Sequence, residues 1–424
     1  MNFLSFQALG RNQDRTRLWI ESQRLERLGF PAGQPFSVDG GPEKLVLRPA
    51  ILASNHVSGR TVADGRRPII DLASQSLLNP FKEFSELKII GSFERIEVTP
   101  SRKAFAILKS RNLQPPFRVL ELFAGGGTMT ASLNPSFYLA AGVEIEPDYA
   151  DVWQAAHPEA MLVQSDLRTV EEGALPDFDI LIGGIPCTSH SNLGRAKKGL
   201  AGRPELGDSG DLFLPVLALV ARRMPAAVVL ENVPGFGTSL AGQLVVQHLQ
   251  RLGYEVAVEV LKPHAELGQI EDRQRWLLVA TLNRPFVLHV PGEPCRVSLD
   301  TFLDAPDESR DRADAERIAR TVAGLRAHQD RHAAQGHGFG FSVVDGSTTR
   351  LPVIPKSYHK INTGPFVATP FGPRLLRQGE IERIHGVAVG TRHYATAVQI
   401  MGQGVQTPVF REIFRQLAAH FLQG

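Results

Sequence analysis

The sequence predicts an α/β protein built on a doubly wound sheet, and three observations carry that prediction. Between residues 116 and 284, short apolar runs alternate with longer stretches of helical pattern, as in a parallel sheet covered on both faces. A glycine-rich turn, Gly125-Gly126-Gly127, directly follows the first of these runs, where such sheets pass from strand to helix. Acidic residues, Glu144, Asp166 and Glu231, close three later runs, at the carboxyl edge where open α/β sheets hold their ligands.

The runs expected to be strands are 117–123, 139–145, 161–163, 178–182, 228–230, 254–261 and 275–282, with helices over 212–223 and 242–252. A short helix and linker, 102–114, precede them and end at Pro115-Pro116. From about residue 285 to 372 the alternation stops. That stretch is punctuated by Gly and Pro, with one helical pattern at 313–331 and the run His337-Gly338-Phe339-Gly340-Phe341. Two final helices are expected at 377–385 and 408–422. The chain is accordingly read as four regions: 1–115, 116–284, 285–372 and 373–424.

The first region reads as short β-rich segments and contains a candidate repeat. Ile20-Glu21-Ser22-Gln23 and Leu25 match Leu72-Ala73-Ser74-Gln75 and Leu77 at an offset of 52. Glu43-Lys44-Leu45-Val46-Leu47-Arg48-Pro49 matches Glu94-Arg95-Ile96-Glu97-Val98-Thr99-Pro100 at an offset of 51. Each copy would hold a strand, a short turn or helix, and a hairpin. A unit this small buries little core alone, so two copies are expected to pair. The first copy resembles swapped-hairpin DNA-binding modules of the transition-state-regulator and antitoxin type, which implies DNA binding for this region. A plain β-rich extension remains the other reading.

With 43% hydrophobic and 21% charged residues, the composition is that of an ordinary globular protein. No apolar run reaches a membrane span, and the first ten residues do not read as a signal peptide, so no membrane partner and a cytoplasmic location are expected. The two cysteines, Cys187 and Cys295, exclude a disulfide framework and a cysteine metal site, so no metal is expected. The formal net charge is only +2, but residues 1–115 carry 17 Lys+Arg against 11 Asp+Glu, a mild basic bias compatible with phosphate contact.

Four motifs carry chemistry. In Glu121-Leu122-Phe123-Ala124-Gly125-Gly126-Gly127-Thr128 the glycines let a ligand approach the backbone. Glu144 beyond the next run can accept from the hydroxyls of a ribose, and Asp166 could hold an adenine amino group. Gly183-Gly184-Ile185-Pro186-Cys187 places a thiol on a turn at the same sheet edge, a setting for a low-pKa nucleophile. The basic loop after it holds Ser191, Arg195, Lys197, Lys198 and Arg203, and suits closure over a polyanion. Glu231-Asn232-Val233 adds a carboxyl, and Asp272-Arg273-Gln274-Arg275 adds two guanidinium groups expected to project together from a strand.

In this order the motifs resemble those of the cytosine-5 DNA methyltransferase family over residues 117–282 and again near 375–422. The 44 residues separating Cys187 from Glu231 suit the family. The resemblance implies a Rossmann-like sheet, a target recognition domain at 285–372, and S-adenosylmethionine as the cofactor. It assigns Cys187 as the nucleophile that adds to C6 of a flipped cytosine, with Pro186, Glu231, Arg273 and Arg275 completing the catalytic set. Phe123, Gly125, Gly127, Thr128, Glu144, Ile145, Asp166, Leu167, Gly184, Leu212, Gln403 and Val405 would form the cofactor pocket. Departures are Thr188 where the family has glutamine, Glu271 where glutamine is usual, and Gln403 where the final motif has asparagine. Cys295 is read as structural or incidental. The expected partner is double-stranded DNA, acted on by a monomer, with a cognate restriction endonuclease left open. An RNA cytosine methyltransferase and a DNA-binding regulator on an inactive scaffold are the alternatives.

Overall fold

The computed structural model describes residues 2–12, 15–63, 65–186, 209–282, 284–334, 341–361 and 364–423. It divides into two compact units, Met1–Asn112 and Leu113–Gly424, so residues 285–372 belong to the same body as the α/β sheet. Among the described residues, no helix is long and apolar enough to cross a membrane.

The first unit is built from ten strands: β1 (Phe3–Gln7), β2 (Gly10–Asn12), β3 (Arg15–Glu21), β4 (Pro35–Gly41), β5 (Lys44–Pro49), β6 (Asn55–His56), β7 (Ser58–Val62), β8 (Gly65–Leu72), β9 (Leu87–Ser92) and β10 (Arg95–Pro100). They form a six-stranded sheet, β1-β9-β10-β5-β4-β6, and a four-stranded sheet, β2-β3-β8-β7. Both halves run strand, hairpin, one-turn helix, hairpin, with the helices Arg24–Arg27 and Gln75–Leu78 starting at the two Ser-Gln pairs, just after Gln23 in one and at Gln75 in the other. The first strand of each half is exchanged: β1 pairs with β9 of the second half, and β6 with β4 of the first. The pairings β3–β8 and β5–β10 join the halves antiparallel. Trp19 faces Asp71 and Val46 faces Glu97, and at the repeat offsets each pair consists of equivalent positions. A local two-fold therefore crosses both sheets. Leu18, Ile20, Leu45 and Leu47 share one core with their counterparts Ile70, Leu72, Ile96 and Val98.

The second unit carries a seven-stranded sheet in the order β13-β12-β11-β14-β15-β17-β16. Its strands are β11 (Phe117–Leu122), β12 (Phe137–Glu144), β13 (Met161–Gln164), β14 (Ile180–Gly184), β15 (Ala227–Asn232), β16 (Glu255–Leu261) and β17 (Arg275–Thr281). The first five are parallel, and β17 runs antiparallel to both neighbours. The chain winds from β11 outward through β12 and β13, then crosses to β14, so the topological switch lies between β11 and β14. Strand β15 is buried at every position, which is why Ala227 to Leu230 form a continuous apolar run rather than an alternating one before Glu231 and Asn232.

The helix Leu240–Leu252 illustrates how the sequence sets its covering layers. Ser239 caps it by accepting from the Gly242 N–H, Ala241, Val245 and Leu249 recur on the buried face, and Gly253 ends it at φ +93°. The last helix, Thr407–Leu422, lays Phe410, Phe414 and Phe421 into the core beside Phe117 and Phe137. The Phe117–Phe421 and Phe137–Phe414 ring centroids are 5.5 and 5.7 Å apart. The helix expected at 313–331 extends over Glu308–Ala334. Residues 299–361 contribute Leu299, Ile318, Leu351, Ile354 and Tyr358 to a second core shared with Leu376, Ile381 and Ile400.

One buried acid stands behind the sheet edge. Glu121 on β11 accepts from the Trp153 indole at 2.7 Å, and burial pushes its carboxyl up to about 8 despite that bond. The folded state thus holds a proton that the unfolded chain releases near pH 4.5, and this contribution to stability is lost as pH rises toward 8. Thermal unfolding should therefore lose more Tm between pH 6 and 9 in wild type than in Glu121→Gln. Equal losses would show that Glu121 is already ionised in the fold.

Candidate active site

The glycine turn after β11 is shaped by backbone that few residues adopt. Phe123, Gly125 and Gly127 have φ of +55°, +55° and +81°. A Cβ added to Gly125 would meet nothing within 4 Å, so the turn faces open space there. Glu144 at the end of β12 fixes the turn: Oε2 accepts from the Gly125 N–H at 2.6 Å, and Oε1 from Ile145 and Glu146 at 2.9 and 2.8 Å. Oε1 thus has both its lone pairs engaged, and Oε2 keeps one. Ile145 beside it is 55% exposed, an apolar platform at the rim. Open backbone, a buried carboxylate and an exposed aliphatic side chain fit a nucleoside with two hydroxyls.

Asp166 lies differently from the expectation. It does not end β13, which stops at Gln164, but caps the turn Leu167–Thr169 by accepting from the Arg168 N–H at 2.9 Å. Its other oxygen pairs with the Arg168 guanidinium at 2.9 Å, and the same guanidinium pairs with Asp211. Arg168 thus ties the end of β13 to the segment entering Leu212, with Leu167 and Leu212 both buried.

The far wall comes from the end of the chain. The Val405 N–H donates to Thr128 Oγ1 at 3.2 Å, and Ser132 donates to the Thr407 carbonyl at 3.2 Å. Thr128 therefore docks the returning segment. A Cβ on Gly126 would collide with Ile400, and one on Gly402 with the Lys356 backbone, so both glycines permit close approach. Gln403 is exposed, and the nearby Tyr149 hydroxyl donates to Gln399 at 2.9 Å.

On β15, Glu231 is 6% exposed and level with Gly184 of β14, where a Cβ would lie 3.0 Å from Glu231 Oε2. Gly184 leaves room for that carboxyl. Arg275, the first residue of β17, binds Glu231 Oε1 through Nε at 2.5 Å. Burial raises the Glu231 carboxyl above its ordinary range, and Arg275, then Arg273, oppose the shift. Net, the acid form is favoured relative to a solvated glutamate. Asn232, which the sequence reading quoted without giving it a role, donates to the Ile185 carbonyl at 3.0 Å and orients the backbone entering Pro186. Cys187 lies outside the described residues, as do Thr188, Ser191, Arg195, Lys197, Lys198, Arg203 and residues 337–340.

Arg273 does not share a strand face with Arg275, because β17 begins only at Arg275. Its guanidinium is 1% exposed and saturated by Glu271 at 3.2 Å and by the carbonyls of Ile354 and Gly402 at 2.6 and 3.1 Å. Glu271 also accepts from the Ile354 N–H at 2.8 Å and lies 3.2 Å from His385 Nε2. Burial would raise the Glu271 carboxyl, but Arg273 and His385 outweigh it and hold the group well below its usual range. Nothing in the local pattern announces His385 or Ile354 as partners, since each reads as an ordinary core residue. Cys295 is half-buried, with its thiol 3.6 Å from the Val297 carbonyl.

Replacing Arg273 with alanine would leave the buried Glu271 without its guanidinium partner, facing only His385 and the Ile354 N–H, at a cost of about 3–5 kcal/mol. The expected result is a marked fall in the denaturation midpoint of Arg273→Ala. A midpoint like wild type would mean that the guanidinium has no such structural duty.

Comparison with known proteins places this geometry. Residues 117–419 match the family model described as C-5 cytosine-specific DNA methylase. The chain is 28% identical over 316 residues to Type II methyltransferase M.NlaX of Neisseria lactamica, spanning 72% of this chain and 96% of the relative. It is 26% identical over 358 residues to Type II methyltransferase M.MspI of Moraxella sp, 78% of each. A shorter match, 29% identical over 187 residues, is to the Homo sapiens tRNA (cytosine(38)-C(5))-methyltransferase, covering 42% of this chain and 46% of that protein. In fold, it is similar to the Schizosaccharomyces pombe (S. pombe) Dnmt2 methyltransferase at a TM-score of 0.58 and 17% identity, over 73% of this chain and 99% of the other. The chain belongs to the C-5 cytosine-specific DNA methylase family.

Proposed function

We propose that the protein transfers a methyl group from S-adenosylmethionine to carbon 5 of cytosine in a specific sequence of double-stranded DNA. The observation that carries this reading is the buried Glu231–Arg275 pair at the carboxyl edge of β15, level with the strand that leads to Pro186-Cys187. Matches spanning most of this chain to Type II methyltransferases favour DNA over RNA, and also favour a place in restriction and modification.

The cofactor would be held by Glu144 at its ribose hydroxyls, with Ile145 and Leu212 flanking the base and the Gly125 backbone at the methionine end. When bound, it supplies an electrophilic methyl group on a sulfonium sulfur. On the other side, the target cytosine enters the pocket flipped out of the duplex. The Cys187 thiolate adds to ring C6. Glu231, whose acid form burial favours, protonates and holds N3 as electron density moves into the ring, and Arg275 braces both the carboxyl and the base carbonyl. After transfer the C5 proton passes to solvent water and the N3 proton returns to Glu231, so that C5=C6 reforms as Cys187 leaves. Residues 285–372, which share a core with the helix Tyr394–Gln403, are the candidate reader of the surrounding bases. The reading assigns Arg273 a scaffold duty rather than a contact with the base.

Expression in a bacterial host lacking cytosine methylation, followed by bisulfite sequencing, tests the proposal. One short motif should carry protected cytosines in wild type and in Cys295→Ser, and none in Cys187→Ser. Complete conversion everywhere with soluble wild-type protein would remove DNA as the substrate. In purified enzyme, Glu231→Gln should lose about 10²-fold or more in methyl transfer, because an amide cannot give up a proton to N3. A loss below threefold would unseat Glu231 as the acid.

A further inference from the structure

Arg275 can brace Glu231 and a bound base only if its planar guanidinium keeps one orientation, and the returning end of the chain supplies a group to hold it. Resting on the reaction given above, we propose that Gln406 is a positioning residue. It holds one ordered water in the cavity it shares with Arg275, and through that water keeps the guanidinium directed at Glu231.

The first observation is how Gln406 is placed. The Val405 N–H donates to Thr128 Oγ1 at 3.2 Å, and the Thr407 hydroxyl donates to the Thr128 carbonyl at 3.4 Å. Gln406 lies between them in extended backbone, φ −77° and ψ 113°, so its side chain leaves on the opposite side from that of Thr407. It stands at the N-cap of the helix Thr407–Leu422, yet its side chain does not cap that helix. The Gln406 carbonyl takes the Val409 and Phe410 N–H groups at 3.2 and 3.3 Å, and Pro408 has no N–H to offer. The side-chain amide is therefore not used by its own helix.

The second is burial without satisfaction. Gln406 is 2% exposed, and among the described residues neither Oε1 nor Nε2 meets a hydrogen-bond partner. An amide so placed has lost its bulk-water contacts and gained none from the protein, a cost that folds avoid by providing a polar occupant.

The third is the space beside it. Gln406, Arg273 and Arg275 line a cavity of about 10 Å³, closed on its apolar side by Leu261, Val409 and Phe410. This is about the room that one water needs. Hydrogen-bond chemistry orients that water, because a guanidinium only donates. Arg273 is engaged by Glu271 and by the carbonyls of Ile354 and Gly402. Arg275 directs Nε to Glu231 Oε1 at 2.5 Å and Nη1 to the Gln274 carbonyl at 2.8 Å. The water accepts from the Arg275 guanidinium and donates to Gln406 Oε1. With two cations on the cavity wall, the oxygen end of the amide dipole is the end that faces them. Held by Glu231 on one side and by the water on the other, the guanidinium plane cannot swing without breaking a bond.

The test uses the full-length protein and a duplex carrying the methylated motif. Gln406→Met keeps the length of the side chain and removes its hydrogen-bonding atoms, whereas Gln406→Glu keeps an acceptor oxygen. Gln406→Met should lower kcat about tenfold, because the guanidinium no longer meets acid and base in one fixed geometry. KM for DNA and for the cofactor should stay within about twofold of wild type, since the residue touches neither. The thermal midpoint of Gln406→Met should not fall, because an apolar side chain removes an unsatisfied buried group. Gln406→Glu should keep most of the wild-type kcat. A high-resolution crystal structure of the wild type should show a water within hydrogen-bond distance of both Arg275 and Gln406, and that of Gln406→Met should lack it. A Gln406→Met kcat within about twofold of wild type would overturn the proposal. So would a lowered midpoint in that variant, an equal loss in Gln406→Glu, or a wild-type cavity without the water. A wild type that transfers no methyl group to DNA would instead sink the reaction proposed above; with an active wild type, the variants and the water decide on Gln406 alone.

Discussion

The buried guanidinium of Arg273 is the constraint around which the second unit is assembled. It collects one carboxylate and carbonyls from segments about 80 and 130 residues away in the chain. None of these groups would be stable at such depth alone, because a buried charge or carbonyl without a partner costs several kcal/mol. Together they fix three things at once: the entry to β17, the stretch around Ile354, and the turn at Gly402–Val405. Those are the arm carrying Arg275, part of the segment proposed to read DNA, and the wall of the proposed nucleoside site. Glu271 makes this junction ionic, and His385 supplies its outer contact. An ionic junction tolerates less displacement than a neutral one, since each group's burial depends on the others staying in place.

The electrostatics of the two acids at the sheet edge diverge for reasons of environment. Glu144 accepts from three backbone N–H groups, one in the glycine turn and two in its own, which suits a group that shapes a loop. Glu231 has burial as its dominant influence, with Arg275 and then Arg273 against it, which suits the acid role proposed for it. Two carboxyls on neighbouring parts of one sheet thus acquire separate duties without any difference in their own chemistry.

Much of this was legible in the sequence, for identifiable reasons. Strands β11, β14 and β15 are apolar at nearly every position because they are covered on both faces, so they stood out as runs. The glycine turn, Glu144 and Glu231 are local features whose meaning depends only on following a strand. Asp166 and Arg273 were harder. Asp166 reads as a strand-end acid, but Arg168 two residues later and Asp211 far downstream redirect it into a cap and an ion pair. Arg273 lies two residues from Arg275 in an apparent strand pattern, and only the approach of Ile354 and Gly402 turns it inward. For Arg273 the deciding partners are remote in the chain, where periodicity carries no information; for Asp166 the cap and the pair come from Arg168 two residues on, a local contact that a strand-pattern reading does not weigh. The antiparallel direction of β17 was likewise silent, because an apolar run reads the same in either direction.

The exchange of β1 and β6 between the halves of the first unit bears on how such a unit holds together. Two separate chains trading strands in this way would fold only as far as mass action brought them together, and dilution would dissolve the pair. Joined in one polypeptide, the halves meet at a fixed effective concentration, so their association no longer depends on how much protein a cell contains. The join also releases them from identity. Trp19 stands where its counterpart is Asp71, and Val46 where its counterpart is Glu97. A true homodimer must change both faces with every substitution, whereas this chain can alter one half and keep the other.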